Sequence, residues 1–353
     1  MADPINPADM ACPMPLNKHD RVLLAHGGGG TLMRDLIRNV FAKTFARDGY
    51  TAEHDAARLT MPKGDLAFTT DSYVISPLFF PGGDIGSLAV HGTVNDLAMA
   101  GAKPLYLSAG FILEEGLEMA VLERVVASMR AAADAADVVL VTGDTKVVNR
   151  GKGDGLYINT AGIGVVPDGI RVGPERIESG DAILVSGDVG RHGLTILATR
   201  NELGFQSDLA SDSAPVAVAV KALLDSGVEV HCLRDLTRGG LAAALCELAE
   251  SSRLHFDVEQ ERVPVLDTTR ALGELLGIDP IHVANEGRFV VMVPERQADK
   301  ALEVLRAVDV SAGAVRVGTV NDQRQPGTVS LLTPYGVRHQ LALLSGEQLP
   351  RIC

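Results

Sequence analysis

Val138-Val139-Leu140-Val141, followed without a break by Thr142-Gly143-Asp144-Thr145-Lys146, sets the fold class. A run of aliphatic, mostly β-branched residues predicts a buried strand. The polar residues that end it stand where α/β proteins place ligands, outside the carboxyl end of a strand. Outward from there, residues 111–136 read as a long helix after a short strand, with a break at Lys103-Pro104. Residues 156–166 read as the next strand and close a first domain. Upstream, Leu66-Ala67-Phe68-Thr69-Thr70 is a strand that ends on Asp71, and Pro81-Gly82-Gly83-Asp84 leads into a helix over 85–100.

A second domain begins after the turn-rich Val172-Gly173-Pro174. It opens with a strand at 182–185 and the loop Ser186-Gly187-Asp188-Val189-Gly190-Arg191-His192-Gly193. Helices follow at 193–203 and 215–226, and Arg234-Asp235-Leu236-Thr237-Arg238-Gly239-Gly240 begins another that runs through Leu248. Helices at 268–277 and 296–307 alternate with strands at 281–284, 288–294 and 314–320. Asn285-Glu286-Gly287 is therefore a tight connection between two strands. There is no internal repeat. The alternation argues for α/β or layered α+β domains, assigned as 21–170 and 171–344, with a disordered extension at 1–20 and a flexible tail at 345–353.

The length of 353 residues agrees with two domains, each large enough for its own core. No stretch approaches the apolar length of a membrane span. A formal net charge of −13 argues against nucleic acid or an anionic membrane surface as the main partner. Cys12, Cys232, Cys246 and Cys353 form no CxxC pair and no zinc spacing. The first twenty residues contain four prolines and no hydrophobic signal region, so a reduced, cytoplasmic protein is expected.

Asp55, Asp71, Asp96 and Asp144 stand out by position, each at a strand end, in a loop or on an apolar helix. Asp96 is the only charge between 85 and 100; buried there, it needs a cation, a metal or a set of donors, and otherwise the helix face is exposed. Carboxylates that leave coordination places free suit Mg2+, which keeps waters and phosphate oxygens. His26-Gly27-Gly28-Gly29-Gly30 lies between a short apolar run at 22–25 and a helix marked by Leu32, Leu36, Val40, Phe41 and Phe45. Strand, glycines, helix is a phosphate-binding layout, but no Gly-Lys-Ser/Thr follows, and a tight turn fits equally. The chain ends Leu349-Pro350-Arg351-Ile352-Cys353 after a strand-like stretch at 336–344 and Ser345-Gly346. The terminal carboxylate disfavours the Cys353 thiolate, so nothing local activates it. Fully extended, the residues after Ser345 carry the sulfur roughly 25–30 Å. Cys353 is either incidental or a tethered reactive group with a high effective concentration at any site in reach.

Several longer motifs carry a family resemblance. Thr69-Thr70-Asp71-Ser72-Tyr73-Val74-Ile75 with Pro77-Leu78-Phe79-Phe80-Pro81-Gly82-Gly83-Asp84-Ile85-Gly86 resembles the HypE family of hydrogenase maturation proteins. So do Gly92-Thr93-Val94-Asn95-Asp96-Leu97-Ala98-Met99, Val141-Thr142-Gly143-Asp144-Thr145-Lys146-Val147-Val148, Ala284-Asn285-Glu286-Gly287 and Pro350-Arg351-Ile352-Cys353. The resemblance runs from His26 to the end; Arg191, where that family commonly has an acidic residue, departs from it.

That family is similar to aminoimidazole ribonucleotide synthetase, thiamine-monophosphate kinase and selenophosphate synthetase. The resemblance implies two α/β domains, ATP in a cleft between them and a homodimer built on the first. It implies that Cys353 accepts a carbamoyl group from the carbamoyltransferase HypF, and that ATP drives its dehydration to a thiocyanate. The cyano group then passes to iron on a HypC–HypD scaffold for the [NiFe]-hydrogenase site. Asp55, Asp71, Asp96 and Asp144 are implied Mg2+ ligands; with Asn95, His26 and Gly28 they are implied contacts of the nucleotide. Glu286 is the implied base, with Lys146 orienting it or steadying negative charge; a plain ion pair of Lys146 with Asp144 or Glu286 is the alternative. His192 either approaches the phosphates or serves a turn. Two other readings remain at this point: a small-molecule kinase or synthetase of the same superfamily, and a non-catalytic scaffold that uses the tail thiol.

Overall fold

The computed structural model describes residues 19–47, 56–200 and 208–343. Asp55, Cys353 and the tail at 345–353 lie outside the described residues, as does most of the extension at 1–20.

The amino-terminal segment is a continuous helical stretch: α1 (Thr31–Leu36), a π-helical section (Ile37–Ala42) and α2 (Lys43–Phe45). The strand expected at 22–25 is absent; Leu24–Gly27 is a 3-10 turn, and Arg21 makes only an isolated bridge to Glu118. Next come β1 (Asp65–Tyr73), the small hairpin β2 (Phe79–Phe80) and β3 (Gly83–Asp84), α3 (Ile85–Met99) and β4 (Lys103–Glu114). The unit is completed by α4 (Met119–Ala135), β5 (Val139–Val148) and β6 (Leu156–Val166). Its sheet has the order β1-β6-β4-β5, antiparallel except for the β4–β5 pair.

Residues 111–114 are strand, not the start of a helix. Ala109, Phe111 and Leu113 alternate into the core while Ile112 points outward, a period of two. Gly116, at φ +99°, then turns the chain before α4. In β5 the strand does not stop at Thr142. It runs on through Lys146, with Asp144 and Lys146 exposed and Thr145 buried, so both site candidates are in mid-strand. Asp71 is likewise inside β1 rather than at its end.

The second unit holds β7 (Asp181–Val185), α5 (Arg191–Thr199), α6 (Ala217–Asp225), β8 (Cys232–Asp235) and α7 (Gly240–Ser252). After these come β9 (His255–Glu259), α8 (Asp267–Leu276), β10 (Phe289–Pro294), α9 (Ala298–Arg306), β11 (Val315–Asn321), β12 (Thr328–Leu332) and β13 (Arg338–Leu341). Its sheet has the order β13-β12-β9-β11-β7-β10-β8. Both faces are covered, which explains the unbroken apolar runs of β7 and β10. Ile183, Val185, Val290 and Met292 pack on the α7 side; Ala182, Leu184, Val291 and Val293 pack on the side of α6 and α9. The strand expected at 281–284 is a 3-10 turn, Pro280–His282.

The two units meet along α3. This helix begins sharply because Asp84 caps it, accepting from Gly86 N at 2.7 Å and Ser87 N at 3.1 Å, while Ser87 Oγ accepts from Asp84 N. One side of α3 packs on β1 and β6, and another meets α6 and β8. Residues on α3 are thereby presented to both units at once.

Candidate active site

Successive side chains of a strand point to opposite faces, so Thr69, Asp71 and Tyr73 share the face of β1 that looks at α3. Thr69 Oγ1 donates to Asp96 Oδ2 at 2.8 Å. Tyr73 is buried, and Gly92 of α3 lies so close that a Cβ there would sit 2.2 Å from its hydroxyl oxygen. That hydroxyl has no hydrogen-bond partner among the described residues. From the other unit, Asp235 at the end of β8 comes close enough to Asp96 for the charge of one carboxyl to act on the other. Glu286, buried on the connection before β10, completes the group.

The electrostatics of this group are those of carboxylates crowded together out of water. Burial raises the Asp96 pKa and Asp71 adds to it, while the Thr69 hydrogen bond and Arg234 oppose. Asp235 is pushed up to about 7 by burial and by the charge of Asp96. Burial drives Glu286 well above the carboxylate range, with Asp235, Asp212, Asp71 and Asp96 all pushing the same way. Alone, the cluster holds protons at neutral pH.

A dication would suit such a cluster, since positive charge relieves repulsion among carboxylates. Among the described residues no three His, Cys, Asp or Glu side chains form a ready-made metal cage. Mg2+ needs none, because it binds through one or two carboxylates together with water and phosphate oxygens. Asp71, Asp96 and Asp235 fit that requirement.

A pH dependence follows. For carboxyls whose folded pKa is raised, the native state holds more protons than the unfolded chain, so stability falls as pH rises through the interval. The ligand-free protein is expected to lose stability between about pH 4 and 7 as the interacting Asp96 and Asp235 carboxyls give up their protons. Thermal unfolding followed across that range checks this. Asp235→Asn flattens the slope, and an equally steep slope in that variant would contradict the assignment.

Asp144 and Lys146 are not part of this cluster. Asp144 lies in register with Gly110, Asn159 and Ser72 across the sheet, on the face opposite to Asp71. There Lys146 Nζ donates to both Asp144 oxygens, at 2.9 and 2.7 Å, and this pairing holds the Asp144 carboxyl below its usual range. The plain ion pair is thus present. His26 is turned inward: its Nδ1 accepts from Leu23 N at 2.9 Å, and burial lowers its pKa. Gly28 is exposed in the turn after it. His192 is buried against Phe80, its Nδ1 2.8 Å from Ser211 Oγ, and burial lowers its pKa to about 3. Arg191 binds Asp188, which also takes Arg288 Nη2 at 2.8 Å. The cysteines inside the second unit are inert, since burial pushes Cys232 up to about 12 and Cys246 up to about 11.

Asp235 was missed by the sequence reading because β8 has only four residues and was absorbed into the following helix. The signal was the alternation Val228, Val230, Cys232 that precedes it.

Two family models match, AIR synthase related protein, N-terminal domain, over residues 53–166, and its C-terminal domain over 178–329. The two units are therefore those of an AIR synthase-related protein. Within that class, carbamoyl dehydratase HypE of Azotobacter vinelandii is 49% identical over 337 residues, covering 95% of this chain and 98% of the relative. A crystal structure of hydrogenase maturation protein HypE in complex with ATP is 48% identical with a TM-score of 0.90, covering 94% of this chain and 99% of that one. A crystal structure of a HypE–HypF complex matches at 42% identity and a TM-score of 0.76, covering 88% of this chain and 99% of that one. The chain belongs to the HypE family of carbamoyl dehydratases.

Proposed function

We propose that this chain is an ATP-dependent carbamoyl dehydratase that acts on its own terminus, turning S-carbamoyl-Cys353 into a thiocyanate for the iron of [NiFe]-hydrogenase. The observation that carries the reading is the buried Glu286 set among Asp71, Asp96 and Asp235 where the two units meet. Relatives of the same length are named for this activity, and one was crystallised with ATP.

The chemistry is demanding because an amide oxygen is a poor leaving group. Transfer of the ATP γ-phosphoryl group to the carbamoyl oxygen makes it one that leaves as phosphate. The nitrogen gives up its two protons in the process, one as the oxygen is phosphorylated and one as the C–O bond breaks to form the nitrile. Sulfur, carbon and nitrogen stay on Cys353, and the products are ADP and phosphate. Asp71, Asp96 and Asp235 would hold Mg2+, whose positive charge would neutralise phosphoryl oxygens and offset the carboxylate repulsion that raises the Glu286 pKa. Glu286 takes a proton from the nitrogen. Its burial excludes water from the developing nitrile.

Lys146 and Asp144 act from the open face of the first sheet. That face also carries Leu66 and Phe68, 65% and 66% exposed, and Ile112 at 44%. An apolar sheet face left bare on this scale suits a second copy of the chain, and the homodimer is assigned to it. Placed there, Lys146 neutralises Asp144 at the interface rather than orienting Glu286. Replacing Leu66 and Phe68 together by Glu is expected to weaken dimerisation by at least about 100-fold, since each charge would have to be buried. Light scattering on the eluted protein checks this, and an undiminished dimer would move the interface elsewhere.

HypF supplies the carbamoyl group to Cys353, and the HypC–HypD scaffold receives the cyano group. Release of inorganic phosphate from ATP labelled at its γ-phosphorus tests the activity itself, since phosphate left over from carbamoyl phosphate carries no label. It should require HypF, carbamoyl phosphate and an intact Cys353 together; release at the same rate without carbamoylation would count against the proposal.

A further inference from the structure

Asn95 was expected among the nucleotide contacts, yet its side chain is committed inside the protein. It sits on α3 with 3% exposure. Nδ2 donates to Ala214 O at 3.0 Å and to Glu286 O at 3.2 Å, and Oδ1 accepts from Val216 N at 2.8 Å. Both amide hydrogens are therefore used. The orientation is fixed by the partners: a flipped amide would set NH2 against the Val216 N–H and oxygen against two carbonyls.

These bonds close a ring. Glu286 is followed by Gly287, whose N–H donates to Asp212 Oδ2 at 3.0 Å. The approach is so tight that a Cβ on Gly287 would lie 1.9 Å from Asp212 O. Asp212, Ala214 and Val216 belong to one turn that enters α6. The path thus runs from Asn95 to Glu286, through Gly287 to Asp212, along the turn to Ala214 and Val216, and back to Asn95. It spans both structural units, since Asn95 lies on α3 and the remaining members belong to the second unit. The neighbouring tie of Asn285 Oδ1 to Gly190 N, 2.7 Å, holds the other side of the same connection.

We infer that Asn95 is a positioning residue that fixes the Glu286 backbone and locks it to the docked state of the two units, rather than a contact of the nucleotide. The inference rests on the carbamoyl dehydratase reading for what Glu286 does. Docking of α3 against the turn and placement of the base become one event. If α3 separates from that turn, the ring opens and Glu286 loses its register with the carboxylates. A displacement of about 1 Å at a reacting group costs about 100-fold in rate.

The test uses the full chain with Asn95→Ala, carbamoylated by HypF. At saturating Mg-ATP the single-turnover rate of dehydration is expected to fall about 100-fold. The Mg-ATP dissociation constant, measured by calorimetry, is expected to stay within about twofold, because an interaction absent from the bound nucleotide leaves affinity alone. Amide exchange in residues 283–288 should speed up relative to the rest of the second unit. A rate that returns to the wild-type value at high ATP, with a weakened dissociation constant, would overturn the inference in favour of a nucleotide contact. Unchanged rate and exchange would overturn it as well. Should Asn95→Ala not fold, Asn95→Ser, which leaves a smaller void, decides by the same readouts. If the wild-type chain does not dehydrate its carbamoyl group, the functional reading fails, whereas the exchange experiment still tests the ring.

Discussion

Replacing Glu286 by Gln is expected to leave a folded chain that accepts the carbamoyl group and binds Mg-ATP but dehydrates about 1,000-fold more slowly, as loss of a positioned general base does. The side chain keeps its size and its place on the connection before β10, so the ring through Gly287 and Asp212 survives. What disappears is the ability to take a proton. Stability should not suffer, because burial and the charges of Asp235, Asp212, Asp71 and Asp96 disfavour the ionised Glu286 that the amide replaces. A neutral amide there removes a charge that is costly to bury. The measurement is the amount of thiocyanate formed on Cys353 in one turnover. A normal yield at a normal rate would remove Glu286 from the mechanism.

Cys353→Ala is expected to abolish the reaction altogether while leaving fold and nucleotide binding intact. The sulfur is the atom that holds the carbamoyl carbon, and no other described thiol can take its place. Cys232 is buried within the sheet and Cys246 is only partly covered, yet both are kept as thiols by burial. Mass measurement of the whole chain after incubation with HypF, carbamoyl phosphate and ATP should find no carbamoyl adduct. An adduct that forms and then loses water in this variant would eliminate the terminal-thiol mechanism.

Much of this organisation is legible in the residues themselves, for identifiable reasons. The helix at 85–99 could be read because its cap, Asp84 followed by Ser87, is local chemistry. The strand at 156–166 could be read because Leu156, Tyr157 and Ile158 at its start and Ile163, Val165 and Val166 at its end are strand formers. Asp71 and Asp96 could be picked out because a charge on an apolar element demands compensation. The failures are equally physical. Phe111-Ile112-Leu113 looked helical because a run of apolar residues has no visible period, and the run arises because Ile112 points to an open sheet face. Asp235 escaped because its strand is short and its partner Asp96 is far away in sequence. Asn95 could be named but not understood, since its hydrogen bonds reach across 119 to 191 residues. The separation of Lys146 from Glu286 depends on which face of β5 Lys146 takes, and that follows from register across four strands rather than from spacing.

The account stands on the fate of one oxygen atom. Carbamoyl phosphate labelled with heavy oxygen at its carbonyl would place the label on Cys353, and a single turnover with unlabelled ATP in unlabelled water follows where it goes. The label is predicted in the inorganic phosphate released as the thiocyanate forms. Label that stays on the tail, or that leaves as water while the phosphate carries only solvent oxygen, would contradict phosphoryl transfer to the carbamoyl group.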